Sequence, residues 1–243
     1  MELRGRVALV TGAGTRLGRA IAAALADRGM RLAIHYHHSS EGAESLRDDV
    51  IAKGGEARLF QSDLTDSIAA RKLPETVAAA FGGLDVLVNS AAIMERLSFE
   101  ETTPEQYDSI MALNLRAVFF CTQGAVPALR AAHGKVINIA DLAGLEPWPA
   151  FAVHSVSKAG VVMLTEVMAR ALAPDVTVNA VAPGPVLVPE SAGAEERDAL
   201  IRTTPLKRLG SPDDAVAAIL YLLERGDYVT GETLVVDGGR RIR

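Results

Sequence analysis

The sequence predicts an α/β protein: one domain over residues 1–243, a Rossmann-type doubly wound seven-stranded parallel sheet with helices on both faces. Three observations predict it. Seven short apolar runs have strand character, helical patterns lie between them, and a glycine-rich turn directly follows the first run. A hydrophobic fraction of 49% is enough for one sizeable core, and no linker, repeat or low-complexity stretch divides the chain.

The strand-like runs are 7–10, 31–36, 57–61, 86–89, 135–139, 177–181 and 234–236. In the intervening segment 17–28, Leu17, Ile21 and Leu25 recur every four residues and mark one buried helix face. Such alternation implies βαβ units, whose right-handed crossovers cover both faces of a parallel sheet. Residues 183–193 are rich in Pro, Gly and small side chains and read as a mobile loop ahead of a charged helix. The helix 151–172 carries Val153, Val156, Val161, Met163, Leu164 and Val167, apolar on more than one face. One face suits the sheet and the other a second subunit, so a homo-oligomer is expected.

A net charge of −5 offers no broad attraction for nucleic acid or anionic lipid. The single cysteine, Cys121, cannot form an intrachain disulfide, and its apolar helical setting reads as core. The N-terminus has no charged-then-apolar leader, and no uninterrupted apolar run reads as long enough to span a bilayer. A cytoplasmic protein acting on a small molecule, without nucleic acid or membrane as partner, is the expectation.

The first run leads into Thr11-Gly12-Ala13-Gly14-Thr15-Arg16-Leu17-Gly18 and then a helix. Glycines let backbone amides approach a pyrophosphate, and a helix N-terminus adds unpaired N–H groups and the positive end of its dipole. A dinucleotide site is therefore expected there. Beyond the second run, where a carboxylate would meet free ribose hydroxyls, stands His35-Tyr36-His37-His38-Ser39-Ser40. With no acid to repel a 2′-phosphate, Ser39 and Ser40 able to donate to it and Arg16 near, NADP(H) is favoured; NAD(H) stays possible. Three histidines in four positions also invite a metal reading. No metal is expected, because neighbouring strand side chains point to opposite faces and no Cys or carboxylate completes a set.

These motifs, with others further along, resemble the short-chain dehydrogenase/reductase family over nearly the whole chain. Asp63-Leu64 resembles the family's adenine seat after the third strand, and Asn89-Ser90-Ala91-Ala92 its Asn-Asn-Ala-Gly after the fourth. Asn114 matches its helical catalytic asparagine. Pro183-Gly184, with Val186 beyond, matches its nicotinamide-side turn, and Val236-Asp237-Gly238-Gly239 its C-terminal signature. The resemblance thus implies cofactor contacts at Gly12, Gly14, Thr15, Arg16, Leu17, Gly18, Asp63, Leu64, Asn89, Ser90, Ala91, Pro183, Gly184 and Val186. Arg16 in place of the usual glycine, and His35-Tyr36-His37 ahead of Ser39, resemble the pteridine reductases, which use NADPH. By that resemblance Arg16, His35, His38 and Ser39 line the 2′-phosphate and diphosphate side.

The family's reaction uses a tyrosine four residues before a lysine, so that both share one helix face. Lys158 is present, but position 154 is His154; the family's serine position falls on Asp141, an aspartate that again resembles the pteridine reductases. By the resemblance Lys158 holds the nicotinamide ribose as well as serving the chemistry. An ammonium beside an imidazole disfavours imidazolium, whereas a carboxylate favours it, so His154 depends on which neighbour is nearer. Two functions follow: NADPH-dependent reduction of a carbonyl or pterin-like C=N bond with an Asp141–His154 acid pair, or an NADP-binding regulatory module that has lost ordinary catalysis. Asn114, a poor helix former among apolar neighbours, requires a partner for its amide. Substrate choice is expected to rest on 94–99, 185–204 and 142–150, where Leu145, Pro147, Trp148, Pro149 and Phe151 could wall a planar ring.

Overall fold

The computed structural model describes residues 1–186 and 193–242. Its sheet has seven strands, β1 (Val7–Val10), β2 (Arg31–Tyr36), β3 (Ala57–Gln61), β4 (Val86–Asn89), β5 (Lys135–Ile139), β6 (Thr177–Pro183) and β7 (Thr233–Val236). They run in the order β3-β2-β1-β4-β5-β6-β7, and every neighbouring pair is parallel. The first five strands fall where the apolar runs predict them. β6 continues through Pro183, so that residue ends a strand instead of opening the expected loop, and β7 begins one residue early.

Side-chain alternation sorts the strands' residues onto two faces. Val7, Leu9, Leu87 and Val136 pack into one core, which α3 (Ser67–Phe81), α5 (Ala117–Ala132) and α6 (Ala152–Leu172) complete. Ala8, Val10, Val86, Val88 and Ile137 turn to the other, which α1 (Arg16–Asp27), α2 (Ser40–Ala52) and α8 (Pro212–Glu224) cover. Cys121 is buried in the first core, where desolvation raises its thiol to about 12 and keeps it inert.

The helical stretch that carries Asn114, Pro104–Ala132, is three segments in line. α4 (Pro104–Met111) starts at a Thr103–Gln106 capping box, the chain widens to a π-helix over Ala112–Arg116, and α5 continues. Together Pro104–Ala132 contains a window apolar enough to cross a membrane by length and composition, contrary to the sequence expectation. The reason is tertiary: half of that window is buried within the protein, where α5 packs on α3 and the sheet. The charged helix after the loop is α7 (Ala194–Thr203); most of the loop itself, 187–192, lies outside the described residues.

Because β1 is flanked by β2 on one side and β4 on the other, the order in which strands are added reverses at β1 while every strand stays parallel. Crossovers then leave a crevice beyond the carboxyl ends of those strands. The segments that follow β1, β2, β3, β4, β5 and β6 open onto it.

Candidate active site

A cleft of about 1050 Å³ opens at this switch point. The turn after β1 is held from three directions. Thr11 Oγ1 accepts from the Ser90 and Ala91 amides at 2.9 and 3.1 Å, tying the turn to the end of β4. Gly12 adopts φ +66°, and a Cβ there would lie 2.9 Å from the Ala91 Cα; a Cβ on Gly18 would strike the Gly12 carbonyl. Thr15 stands at the N-cap of α1 without a side-chain capping bond, and the first turn carries no acid. Backbone amides, a dipole end and space denied to any side chain therefore meet at one point, and the residues fit a diphosphate.

His35 has a different place from the one expected. Its ring is 2% exposed; Nδ1 accepts from the Gly12 amide and Nε2 donates to the Ser62 carbonyl, each at 3.1 Å. Burial pushes the imidazole down to about 4, against the bond to Ser62, so the ring is neutral and positions the turn. Both nitrogens are spent inside the protein and neither can serve a phosphate. His35 lines the outer end of the cleft through its ring, and Arg16, His37, His38 and Ser39 line it alongside. Arg16 holds φ +51°, the left-handed region where glycine is at ease. Asp63 and Leu64 line the same end; Asp63 accepts from the Thr65 amide and hydroxyl, which hold its carboxyl below the usual range.

Asn89 is a second correction. Alternation turns it into the α5 side of the sheet, where it is 4% exposed and donates to Thr122 Oγ1 at 3.0 Å and Asn138 Oδ1 at 2.9 Å. Asn138 in turn donates to Thr165 Oγ1. That buried network joins β4, β5, α5 and α6 behind the cleft and offers the cofactor no atom. Ser90, Ala91, Pro183, Gly184 and Val186 do line the cleft. Gly184 donates to the Val236 carbonyl, and a Cβ there would lie 2.8 Å from Asp237 Cα, so the C-terminal signature seats the turn after β6.

On the inner side, α6 presents His154 and Lys158 one turn apart, both buried. Close approach sets their surroundings. A Cβ on Gly144 would lie 2.7 Å from the Lys158 carbonyl carbon, so the 3-10 turn Leu142–Gly144 lies directly on α6. Asp141 caps that turn by accepting from the Ala143 amide at 2.8 Å, which leaves Oδ2 facing His154 Nε2 at 3.7 Å. Lys158 Nζ donates to the Ile139 carbonyl at 2.7 Å; burial lowers the ammonium to about 8, while Asp141 opposes the shift.

The other ring nitrogen of His154 defines its tautomer. Nδ1 lies 3.1 Å from the Ile93 carbonyl oxygen, which can only accept, so Nδ1 carries a proton. Asn114, on the π-helical segment, donates to that same carbonyl at 2.9 Å and accepts from the Ile93 amide at 2.8 Å, and it also donates to Ser157 Oγ at 3.1 Å. The 3.4 Å approach of Asn114 Nδ2 to His154 Nδ1 then sets donor against donor and is no hydrogen bond. Widening the helix over Ala112–Arg116 is what aims the amide at Ile93. Nε2 is left buried without a hydrogen-bond partner, directed at Asp141 and the cleft. A proton there has the Asp141 carboxylate within a charge contact.

Pro147, Trp148, Pro149 and Phe151 form one wall of this inner end, with the Trp148 and Phe151 rings edge-on at 6.2 Å. Leu145 turns into the core instead. Of 94–99 only Met94 reaches the cleft, and Phe99 is 80% exposed elsewhere. Glu196, Leu200 and Arg240 line the far rim, and among the described residues no group of three or more His, Cys, Asp or Glu could hold a metal ion. Thr11, His37 and the Ile93 carbonyl are site groups the sequence reading passed over. Thr11 had a signal, its place between strand and glycine; the others act through backbone or ring placement, which spacing does not reveal.

A parallel sheet whose strand order reverses at a glycine-cradled cleft, with a histidine and a lysine one turn apart on α6, is the frame of a Rossmann-type oxidoreductase. The chain belongs to the short-chain dehydrogenase/reductase family. A family model described as enoyl-(acyl carrier protein) reductase matches residues 12–241. Among its relatives, an uncharacterized oxidoreductase of Methylorubrum extorquens is 37% identical, over 99% of each chain. A 3-oxoacyl-[acyl-carrier-protein] reductase of Synechocystis is also 37% identical, over 98% of this chain and 97% of the relative. Two solved structures superpose with a TM-score of 0.92: a blue fluorescent protein from a metagenomic library in complex with NADPH, 32% identical over 99% of both chains, and a dehydrogenase/reductase of Sinorhizobium meliloti, 33% identical over 98% of this chain and 97% of that one.

Proposed function

We propose that this protein is an NADPH-dependent reductase of a carbonyl, or of a C=N bond in a pterin-like ring, in which His154 is the proton donor. The observation that carries the reading is the buried, unpartnered His154 Nε2 aimed into the cleft 3.7 Å from Asp141. NADP(H) over NAD(H) is supported by the absence of a carboxylate over 35–40, by Arg16 at the outer end of the cleft, and by the NADPH held by a 32% identical structure.

Bound NADPH would supply hydride to the substrate carbon. Lys158 would hold the nicotinamide ribose through its ammonium, and the turn after β1 would hold the diphosphate. His154 gives the Nε2 proton to the oxygen or nitrogen that hydride transfer leaves negative. What remains is the neutral Nδ1–H imidazole, still bonded to the Ile93 carbonyl, so the ring need not turn over. Asp141 offsets the imidazolium charge before transfer, and Asn114 keeps the Ile93 carbonyl in place. The Trp148 and Phe151 wall suits a flat or acyl substrate.

The test is NADPH oxidation against 3-oxoacyl thioesters, pterins, quinones and small carbonyls. Loss of a general acid costs about 10²–10⁴-fold, and His154→Ala is expected to lose that much on the best substrate. Full turnover by His154→Ala overturns the role. Tight NADPH binding without turnover on any compound, together with no gain in His154→Tyr, would favour the dinucleotide-binding regulatory module instead.

The same reading extends to a homo-oligomer. Phe119, Met163 and Val167 are half-exposed along one groove between α5 and α6, an apolar face suited to a second copy of this chain.

A further inference from the structure

The outer end of the cleft carries two imidazoles that the proposed reaction does not use. The rings of His37 and His38 lie 3.6 Å apart between centroids, tilted by 35°, where β2 gives way to α2. Both line the cleft, beside Arg16 and Ser39. His37 Nδ1 stands 3.9 Å from Asp63 Oδ1, and Asp63 feels the charge of both histidines. Adjacent side chains at a strand end ordinarily point apart. Here they stack over one another, the arrangement that brings two potential cations to one spot.

We propose that His37 and His38 form a proton-dependent selector for the 2′-phosphate of the coenzyme, so that preference for NADP(H) over NAD(H) strengthens as pH falls from 8 to 6. The inference rests on the NADP(H) reading above and concerns how the choice is made. Histidine is the side chain that gains a proton in this pH range. The charged groups beside the pair are Arg16 at the start of α1 and Asp63 beyond β3; His35, on the same cleft, is neutral. With both rings neutral, Arg16 alone meets the phosphate and Asp63 opposes it. Protonation cancels Asp63 and adds a charge-assisted donor, a gain of about tenfold in affinity.

The phosphate's own titration has the opposite sign, because it loses charge as pH falls and would bind cations less well. A coenzyme fragment also removes any contribution from Lys158. Binding of adenosine 2′,5′-bisphosphate and of 5′-AMP should therefore be measured by calorimetry between pH 6 and 8. Their affinity ratio is expected to rise about tenfold toward pH 6, and the rise to vanish in His37→Gln/His38→Gln, whose urea unfolding, the same as the wild type's, shows the fold intact. A ratio well above one that does not change with pH, or one that changes equally in the double variant, overturns the selector while leaving NADP(H) preference standing. A ratio near one throughout overturns both.

Discussion

Acid should loosen the dinucleotide turn through His35. The ring is enclosed, holds the Gly12 amide on one nitrogen and the Ser62 carbonyl on the other, and is pushed down to about 4 by burial. In an unfolded chain an imidazole titrates near about 6.5. A folded value below the unfolded one means that the stabilisation is complete above about pH 6.5 and is lost as pH falls toward 4. The whole difference is worth about 3 kcal/mol, of which about 2 kcal/mol is lost between pH 7 and pH 5. Urea unfolding of the wild type and His35→Gln at those two pH values isolates it, since the glutamine amide oxygen can accept from Gly12 without titrating. Carboxylates contribute equally to both proteins. The wild type should lose about 2 kcal/mol more than the variant on acidification. Equal losses would refute the assignment of a neutral, enclosed ring.

Four further outcomes follow from the geometry. The buried Lys158 ammonium lies near about 8, so NADPH affinity should fall as pH rises from 8 to 9.5, measured by fluorescence titration, and Lys158→Arg should flatten that fall. For folding the sign is reversed, because the penalty of enclosing the ammonium is relieved as pH rises from about 8 to 10.5. Asn89→Ala strands Asn138 Oδ1 and Thr122 in the core and should cost about 2 kcal/mol in urea unfolding, with coenzyme contacts untouched. Gly18→Ala drives a methyl into the Gly12 carbonyl and should weaken coenzyme binding at least about tenfold by calorimetry. Phe119→Glu on the half-exposed α5 face should shift sedimentation from oligomer to monomer; an unchanged mass would remove that face from the assembly.

The centre of the sheet was legible because burial on both faces makes β1, β4 and β5 short, mostly apolar runs. Five of the seven runs coincide with their strands, and β6 and β7 differ by two residues or fewer at one end. The glycine turn was legible for the same kind of reason, since a Cβ at Gly12 or Gly18 has nowhere to go. Spacing also put His154 and Lys158 on one helix face and Asp141 after β5. It did not distinguish His35 from His38: both line the cleft near a strand end, but His35 is 2% exposed with both ring nitrogens bonded inside the protein. Nor did it separate Asn89 from Ser90, adjacent residues that the pleat sends to opposite destinations.

By itself, then, the order of residues determined the parallel sheet, the diphosphate cradle and the trio of ionisable groups at the far end of the cleft, because periodicity and glycine act locally. Only the tertiary structure decided that His35 is enclosed and neutral and which ring nitrogen of His154 is left without a hydrogen-bond partner. Protonation depends on partners brought from distant segments, here the Ile93 carbonyl, Asn114 and Asp141, and on the water that packing removes.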